Sequence, residues 1–207
     1  GNPRRPVSEG GLGLSWEECC SYLEQAGRSF LGPGALQCAA PGQPDIAALD
    51  ILANAQQRQR YLEPLMRGEK YSCFAMTEPA PGVGSDPRML LTQAKRSTDG
   101  WVIDGHKWFI SGAMRAHFAI VVARTEAGVS WFLVDRDNPG FELVRDIPTI
   151  EPFEIGGGHG EIRLNACKVG EDALIGEEGQ GLAYAQIRLE GARLFHCMRF
   201  IGLASRA

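Results

Sequence analysis

Two stretches of the chain carry residue types at spacings that could do chemistry. The first is AMTEPAPGVGSD, residues 75–86. A short apolar run leads into a loop rich in glycine and proline that closes on Gly84-Ser85-Asp86. Backbone amides freed by glycine, joined by a hydroxyl, can hold a pyrophosphate without a basic side chain. Thr77 stands at the strand end, where its hydroxyl and amide can face a heterocycle. No helix follows at once, so this is not the glycine fingerprint of a doubly wound dinucleotide fold. Taken alone, such a loop is more often a plain turn. The second stretch is GHKWFISGA, residues 105–113. Strand alternation sends Trp108 and Ile110 to one face and Phe109 and Ser111 to the other. A ring beside a hydroxyl can pack on a flat ligand and hydrogen-bond it. Alone, the same stretch reads as a hairpin strand with one apolar face.

The remaining polar candidates read as structural. Glu78 and Asp86 could pair for acid–base work, but their places suit caps and loop anchors. His106 and His159 sit in or near turns and have no Ser or Cys partner by spacing. His196 reads as a satisfied helix histidine. The cysteines, at 19, 20, 38, 73, 167 and 197, contain no CxxC pair, which points away from zinc and towards reduced thiols in a cytosolic protein.

The elements that would hold these residues follow from the patterning. Ser15 and Glu18 make a capping box, and Trp16, Cys19, Cys20 and Leu23 a helical stripe ending near Gly27. The first 14 residues read as frayed, and residues 32–44 as a loop. Two more short helices are predicted, over 45–53 and over AQQRQRYLEPLMRGE, the latter stopping at Gly68. From Tyr71 the period changes to that of strands. Residues 72–77 form the first. Trp101-Val102-Ile103, then Asp104-Gly105, then residues 107–110 predict a β-hairpin with its turn at Asp-Gly. Residues 117–123, 130–134, 141–144 and 160–164 give further strands. After Gly176 a helical pattern returns and runs without proline to Ala207, apolar on most sides. Such a helix is a buried one. Nothing else in the chain reads as able to cover it, so the chain reads as a fragment cut inside a helix of another helical layer; the alternative is a C-terminal helix that packs across a dimer interface.

The fold class is therefore α+β. Residues 1–70 are the end of a helical N-terminal domain, and residues 71–178 a central antiparallel β-barrel or sandwich of roughly seven strands. Residues 179–207 start a C-terminal helical bundle. The 207 residues suffice for one large domain or two small ones. With 21 Lys plus Arg against 25 Asp plus Glu, the net charge is −4, which argues against a general nucleic-acid binder. No apolar run reaches the roughly 18 residues of a membrane span.

Together the two stretches resemble the acyl-CoA dehydrogenases, the FAD-containing flavoenzymes of fatty-acid β-oxidation and related catabolism. Thr77-Glu78-Pro79 and Gly84-Ser85-Asp86 match that family's T-E-P and G-S-D. Gly105, Lys107, Phe109, Ile110 and Ser111 match its next strand, with Phe109 in place of the usual tryptophan. FLVDRDNPGFELVRD and IGEEGQGL are similar too, and the order of helices, β domain and helices agrees.

The resemblance implies that FAD lies between the β domain and the C-terminal helices. Phe74, Ala75, Met76 and Thr77 would line the flavin ring, and Gly84 and Ser85 would hold the pyrophosphate. Phe109, Ile110 and Ser111 would cover the ring, with the Ser111 hydroxyl near the nitrogen that receives hydride. Ser85, Glu190 and Arg193 would touch acyl-CoA. The implied reaction is α,β-dehydrogenation of an acyl-CoA thioester; the alternatives are a catalytically inert fragment that binds acyl-CoA or a partner, and a flavin oxidase or monooxygenase of the same fold. The carboxylate base for dehydrogenation comes from the family's C-terminal helical domain, so no catalytic residue and no metal ligand is assigned here. The implied electron acceptor is external, of the electron-transfer flavoprotein kind, and family members are commonly homo-oligomers. The implied compartment is cytoplasmic, or mitochondrial in a eukaryote. The chain departs from the family by a longer spacing between Pro79 and Gly84.

Overall fold

The period-two pattern forms seven strands in a structure, a computed structural model, that describes residues 3, 4, 6–84, 86–150 and 157–207. They are β1 (Ser72–Ala75), β2 (Gln93–Ser97), β3 (Gly100–Ser111), β4 (Phe118–Thr125), β5 (Gly128–Asp135), β6 (Phe141–Asp146) and β7 (His159–Val169). They make one curled sheet in the order β1-β4-β2-β3-β7-β6, with β5 paired to β4. The sheet and its flanking helices give the α+β class expected. Most neighbours are antiparallel, but β1 runs parallel to β4 and β2 meets β4 at one parallel pair, Gln93 with Arg124.

Strand β4 shows why the sheet needs helices. Ala119, Val121 and Ala123 face an inner core with Phe132, Val134, Ile103 and Ile162. Phe118, Ile120 and Val122 face the other way, onto Ile46, Leu49, Tyr61, Leu62 and Leu65 of the helical layer. A strand apolar on both faces needs cover on both, and each fully buried Phe or Ile contributes about 1.5–3 kcal/mol.

The hairpin turn lies elsewhere than predicted. The chain has two Asp-Gly steps, and the turn falls at the first, on Thr98-Asp99: Ser97 pairs with Gly100, which opens β3 with φ +137°. Asp104-Gly105 is a bulge inside one continuous strand, β3. The Asp104 carboxylate accepts the Ala166 N–H at 2.7 Å, which ties it to β7. Gly105 lets the Thr92 side chain lie against bare backbone. Strand β2 escaped sequence reading because Ala94 alone of its five residues is buried.

The helices are α1 (Trp16–Gly27), α2 (Gly32–Ala35), α3 (Gly42–Leu52), α4 (Ala55–Gln57), α5 (Glu63–Met66) and α6 (Gly181–Arg206), with a π turn at Arg58–Leu62 joining α4 to α5. The Ser15–Glu18 capping box forms, with bonds of 3.2 and 2.8 Å. The stretch read as a loop over 32–44 already holds α2 and the start of α3. The N-terminal residues are tied down rather than frayed where described: Leu14 donates to the Pro3 carbonyl at 2.9 Å, and the Arg4 guanidinium lies over Trp16.

Helix α6 also departs from expectation. Helix α1 covers one of its faces, with Cys19, Leu23 and Ala26 packed around Phe195. The two backbones meet at glycines. A Cβ on Gly27 would collide with the Arg199 carbonyl, and one on Gly202 with that of Glu24. Phe200, Ile201 and Leu203 stay exposed. Among the described residues no helix is long and apolar enough to cross a membrane.

Candidate functional site

Strand β1 delivers the first chemical stretch. Its pairing with β4 turns Phe74 to the helical layer and Ala75 to the inner core. Beyond it, the loop is built on the Glu78 carboxylate. Oε1 accepts from the Thr92 N–H (2.9 Å), the Thr92 hydroxyl (2.5 Å) and Lys107 Nζ (2.9 Å). Oε2 accepts from the N–H groups of Leu91 (2.7 Å) and Val83 (3.3 Å). Lys107 Nζ spends its other protons on the carbonyls of Met76 (3.0 Å) and Val122 (2.8 Å). Side-chain exposures of 0% for Lys107 and 2% for Glu78 make this a closed ion pair. Burial alone would raise the Glu78 carboxyl, but the Lys107 ammonium and the Thr92 and Leu91 donors hold it at about 2. Burial draws Lys107 down to about 8, against the pull of Glu78. Glu78 is a loop anchor, and the residues that lengthen the loop fold over it. The Glu78 N–H donates to the Val83 carbonyl and Gly82 N–H to that of Pro79, both at 2.8 Å. A Cβ on Gly82 would stand 2.5 Å from Glu78 Oε2. Gly84 is exposed with open space beside it, and Ser85 lies outside the described residues. Asp86 is held at about 2 by Arg88, whose side chain and backbone N–H both donate to it.

Strand β3 delivers the second stretch through another bulge. Its register with β7 slips between Lys107 and Ile110, where Phe109 takes φ +51°. A left-handed aromatic residue costs about 1–2 kcal/mol, and strain of this kind gathers at functional sites. The bulge breaks the alternation read for Trp108. Its ring meets that of Phe109, with centroids 5.1 Å apart. Ile110 turns into the inner core at 1% exposure, while Phe109 stays 46% exposed.

The two stretches lock together. The Thr77 hydroxyl donates to the Trp108 carbonyl at 2.6 Å, and the Trp108 N–H donates back to the Thr77 carbonyl at 3.1 Å. Phe74, Met76, Thr77, Phe109 and Ser111 thereby line a single cleft of about 330 Å³, closed by Ala40, Pro41 and, from α6, Ala185, Arg188 and Leu189. That volume is at the lower end of the about 300–1,000 Å³ of small-molecule sites.

Several expected site residues stand apart from the cleft. Ala75 and Ile110 have core-facing side chains, so only their backbone can serve it. Glu190 and Arg193 are exposed further along α6 and do not line it. His159 does have a serine partner, against the sequence reading. It pairs with Ser111 across β3 and β7, and its Nδ1 lies 3.1 Å from Ser111 Oγ. Sequence spacing could not show a contact made by strand register.

Sequence reading also missed Arg188. Its Nε donates at 2.7 Å to Asp45, which is 0% exposed and accepts the Ser72 hydroxyl at 2.7 Å. Burial pushes the Asp45 carboxyl up, and the Arg188 charge and Ser72 oppose it. The guanidinium lies over the Phe74 ring at 4.1 Å. Among the described residues lining the cleft there is no carboxylate. Apolar walls, two hydroxyls and one cation suit a flat heterocycle with a polar edge.

Comparisons with known proteins agree with this geometry. The description "Acyl-CoA dehydrogenase, middle domain" matches residues 73–166. FadE2 of Mycobacterium tuberculosis, a probable acyl-CoA dehydrogenase, is 39% identical over 94% of this chain and 50% of its own length. Acyl-CoA dehydrogenase family member 11 of Mus musculus is 36% identical over 94% of this chain and 26% of its own. The chain thus spans between a quarter and a half of these relatives. The acyl-CoA dehydrogenase of Geobacillus kaustophilus superposes with a TM-score of 0.80 at 25% identity, over 95% of this chain and 52% of that one. PigA with FAD and proline does so with a TM-score of 0.86 at 25% identity, over 99% of this chain and 54% of that one.

Proposed function

The chain belongs to the acyl-CoA dehydrogenase family, and from that premise we propose that its cleft binds FAD as the cofactor side of an acyl-CoA dehydrogenase. The observation that carries this reading is the single cleft shared by Thr77 and Ser111, on strands joined by the reciprocal Thr77–Trp108 bonds. The solved PigA structure holding FAD on the same fold supports it. We divide the chain as residues 1–70, 71–178 and 179–207: helical, β and helical.

When bound, FAD supplies the acceptor for the hydride that leaves the β carbon of an acyl-CoA thioester. The residues of this chain bind and orient. Phe74, Met76 and Phe109 offer apolar contact to a planar ring and keep water from it. Ser111 presents a hydroxyl to the ring edge, and Thr77, with its own proton committed to Trp108, offers oxygen lone pairs. Gly84 and Ser85 would hold the pyrophosphate, and Ser85 would also reach the CoA arm. The Glu78–Lys107 pair holds the loop in shape from beneath. With no carboxylate in the described lining, α-proton abstraction falls to a group outside it. An external electron acceptor completes the cycle.

The test is direct. The purified chain, mixed with FAD and desalted, is expected to keep a protein-bound flavin absorbance band. Thr77→Val is expected to weaken FAD binding about tenfold, the worth of one hydrogen bond of about 1–1.5 kcal/mol. A colourless chain after desalting sinks the reading. The missing carboxylate favours a second reading for this length of chain, in which it binds acyl-CoA or a partner chain without turnover. Bleaching of the bound flavin by acyl-CoA would exclude that.

A further inference from the structure

We propose that His159 is a positioning residue: it aims the Ser111 hydroxyl, and so sets which redox form of a bound flavin the cleft favours. This rests on the reading of the cleft as a flavin site.

Ser111 and His159 are directly opposed residues of β3 and β7. Opposed residues project to the same side of a sheet, so their side chains meet. Ser111 Oγ and His159 Nδ1 are 3.1 Å apart, and Ser111 lines the cleft. The backbone around the pair is held on both sides. The His159 N–H donates to the Asp146 carboxylate at 2.9 Å, and the His159 carbonyl accepts from the Ile147 N–H at 2.9 Å. Past Ser111, the Gly112 N–H donates to the Gly158 carbonyl at 2.8 Å and the Met114 N–H to that of Gly157 at 3.0 Å.

A serine hydroxyl has one proton, and a histidine ring nitrogen is a donor or an acceptor according to its tautomer. With Nδ1 bare, Ser111 donates to His159 and turns oxygen lone pairs to the cleft. Lone pairs suit a ring N–H. With Nδ1 protonated, His159 donates to Ser111, whose proton is then free for the cleft. A free proton suits a bare ring nitrogen. The oxidised ring presents a bare nitrogen at the hydride-accepting position, and the reduced ring presents an N–H there. The proposed positioning requires the tautomer with a bare Nδ1. In that state the pair favours the reduced form, and loss of the acceptor frees the Ser111 proton for the oxidised form.

The experiment has two arms on the full chain. In the first, without cofactor, nitrogen NMR of His159 is expected to show an unprotonated, hydrogen-bonded Nδ1 at neutral pH, whose signal moves in Ser111→Ala. A protonated Nδ1, or a signal that ignores Ser111→Ala, overturns the proposal. In the second, the FAD-loaded chain is titrated potentiometrically. His159→Phe is expected to shift the oxidised-to-reduced binding ratio about tenfold towards the oxidised form, a fall of about 30 mV for a two-electron couple. His159→Asn, which keeps an acceptor oxygen, is expected to hold the wild-type value. In a Ser111→Ala background His159→Phe is expected to change nothing. A shift that persists there is a structural effect and overturns the proposal. A chain that binds no FAD refutes the flavin reading itself, and with it the redox role, while the NMR arm still reports the direction of the hydrogen bond.

Discussion

Two ion pairs flank the cleft, and they differ in how far they are closed. Glu78 and Lys107 lie beneath the loop, and every proton of the ammonium has a protein acceptor. Asp45 is 0% exposed, but its partner Arg188 is 12% exposed and forms part of the cleft wall. The closed pair has no capacity left for a ligand. It fixes the carbonyl of Met76 and the shape of the loop. The open pair holds its cation through Nε, and the Arg188 side chain lines the cleft. A buried ion pair gives little net stability over an apolar pair, yet removing one partner is expensive. The same chemistry thus serves as a fastener in one place and as part of a binding surface in the other.

The largest way to break this comparison is Lys107→Met. It strands a charge that is 2% exposed and is expected to destabilise the chain by about 3–5 kcal/mol, read by urea unfolding. The double variant Glu78→Met/Lys107→Met should recover most of that loss, and failure to recover would mean the pair does more than neutralise itself. Arg188→Met is expected to cost less, about 2–3 kcal/mol, because Ser72 still donates to Asp45 and the raised carboxyl can take a proton. Adding Asp45→Asn should restore stability but leave FAD binding weak. A double variant that binds FAD normally would remove Arg188 from the site.

The acid limb sharpens the contrast. Folded Glu78 titrates near 2, below its ordinary 4.5. Between those values the unfolded chain binds the extra proton, so stability falls as the pH drops and is complete above about pH 5. A loss of about 2 kcal/mol between pH 5 and pH 3 is expected in wild type, and the Glu78→Met/Lys107→Met chain should lack that share of the slope. The smallest stability effect is expected at Phe109→Gly. Relief of the +51° backbone, about 1 kcal/mol, roughly offsets the entropy cost of glycine. Unfolding should move by no more than about 0.5 kcal/mol while FAD affinity drops. A large destabilisation would make Phe109 a packing residue first.

What reached the surface of the sequence was local. Alternation placed the strands other than β2 within a few residues, and Ser15 with Glu18 marked the start of α1. The spaced T-E-P, G-S-D and strand motifs identified the cleft walls at Thr77, Phe109 and Ser111. Local signals also misled where two of them competed. Asp99-Gly100 and Asp104-Gly105 are equal as turn formers, and only the contacts of Asp104 with Ala166 and of Gly105 with Thr92 select the first.

The sequence by itself determined the alternation of helices and strands, the family motifs, and the residue types that face a flat ligand, because these depend on neighbours a few positions apart. The tertiary structure alone decided that Arg188 meets Asp45, that Lys107 is fully buried on Glu78, and that His159 stands against Ser111. Each of those contacts joins segments far apart in the chain. Their distances are set by sheet register and helix docking, which no local spacing encodes.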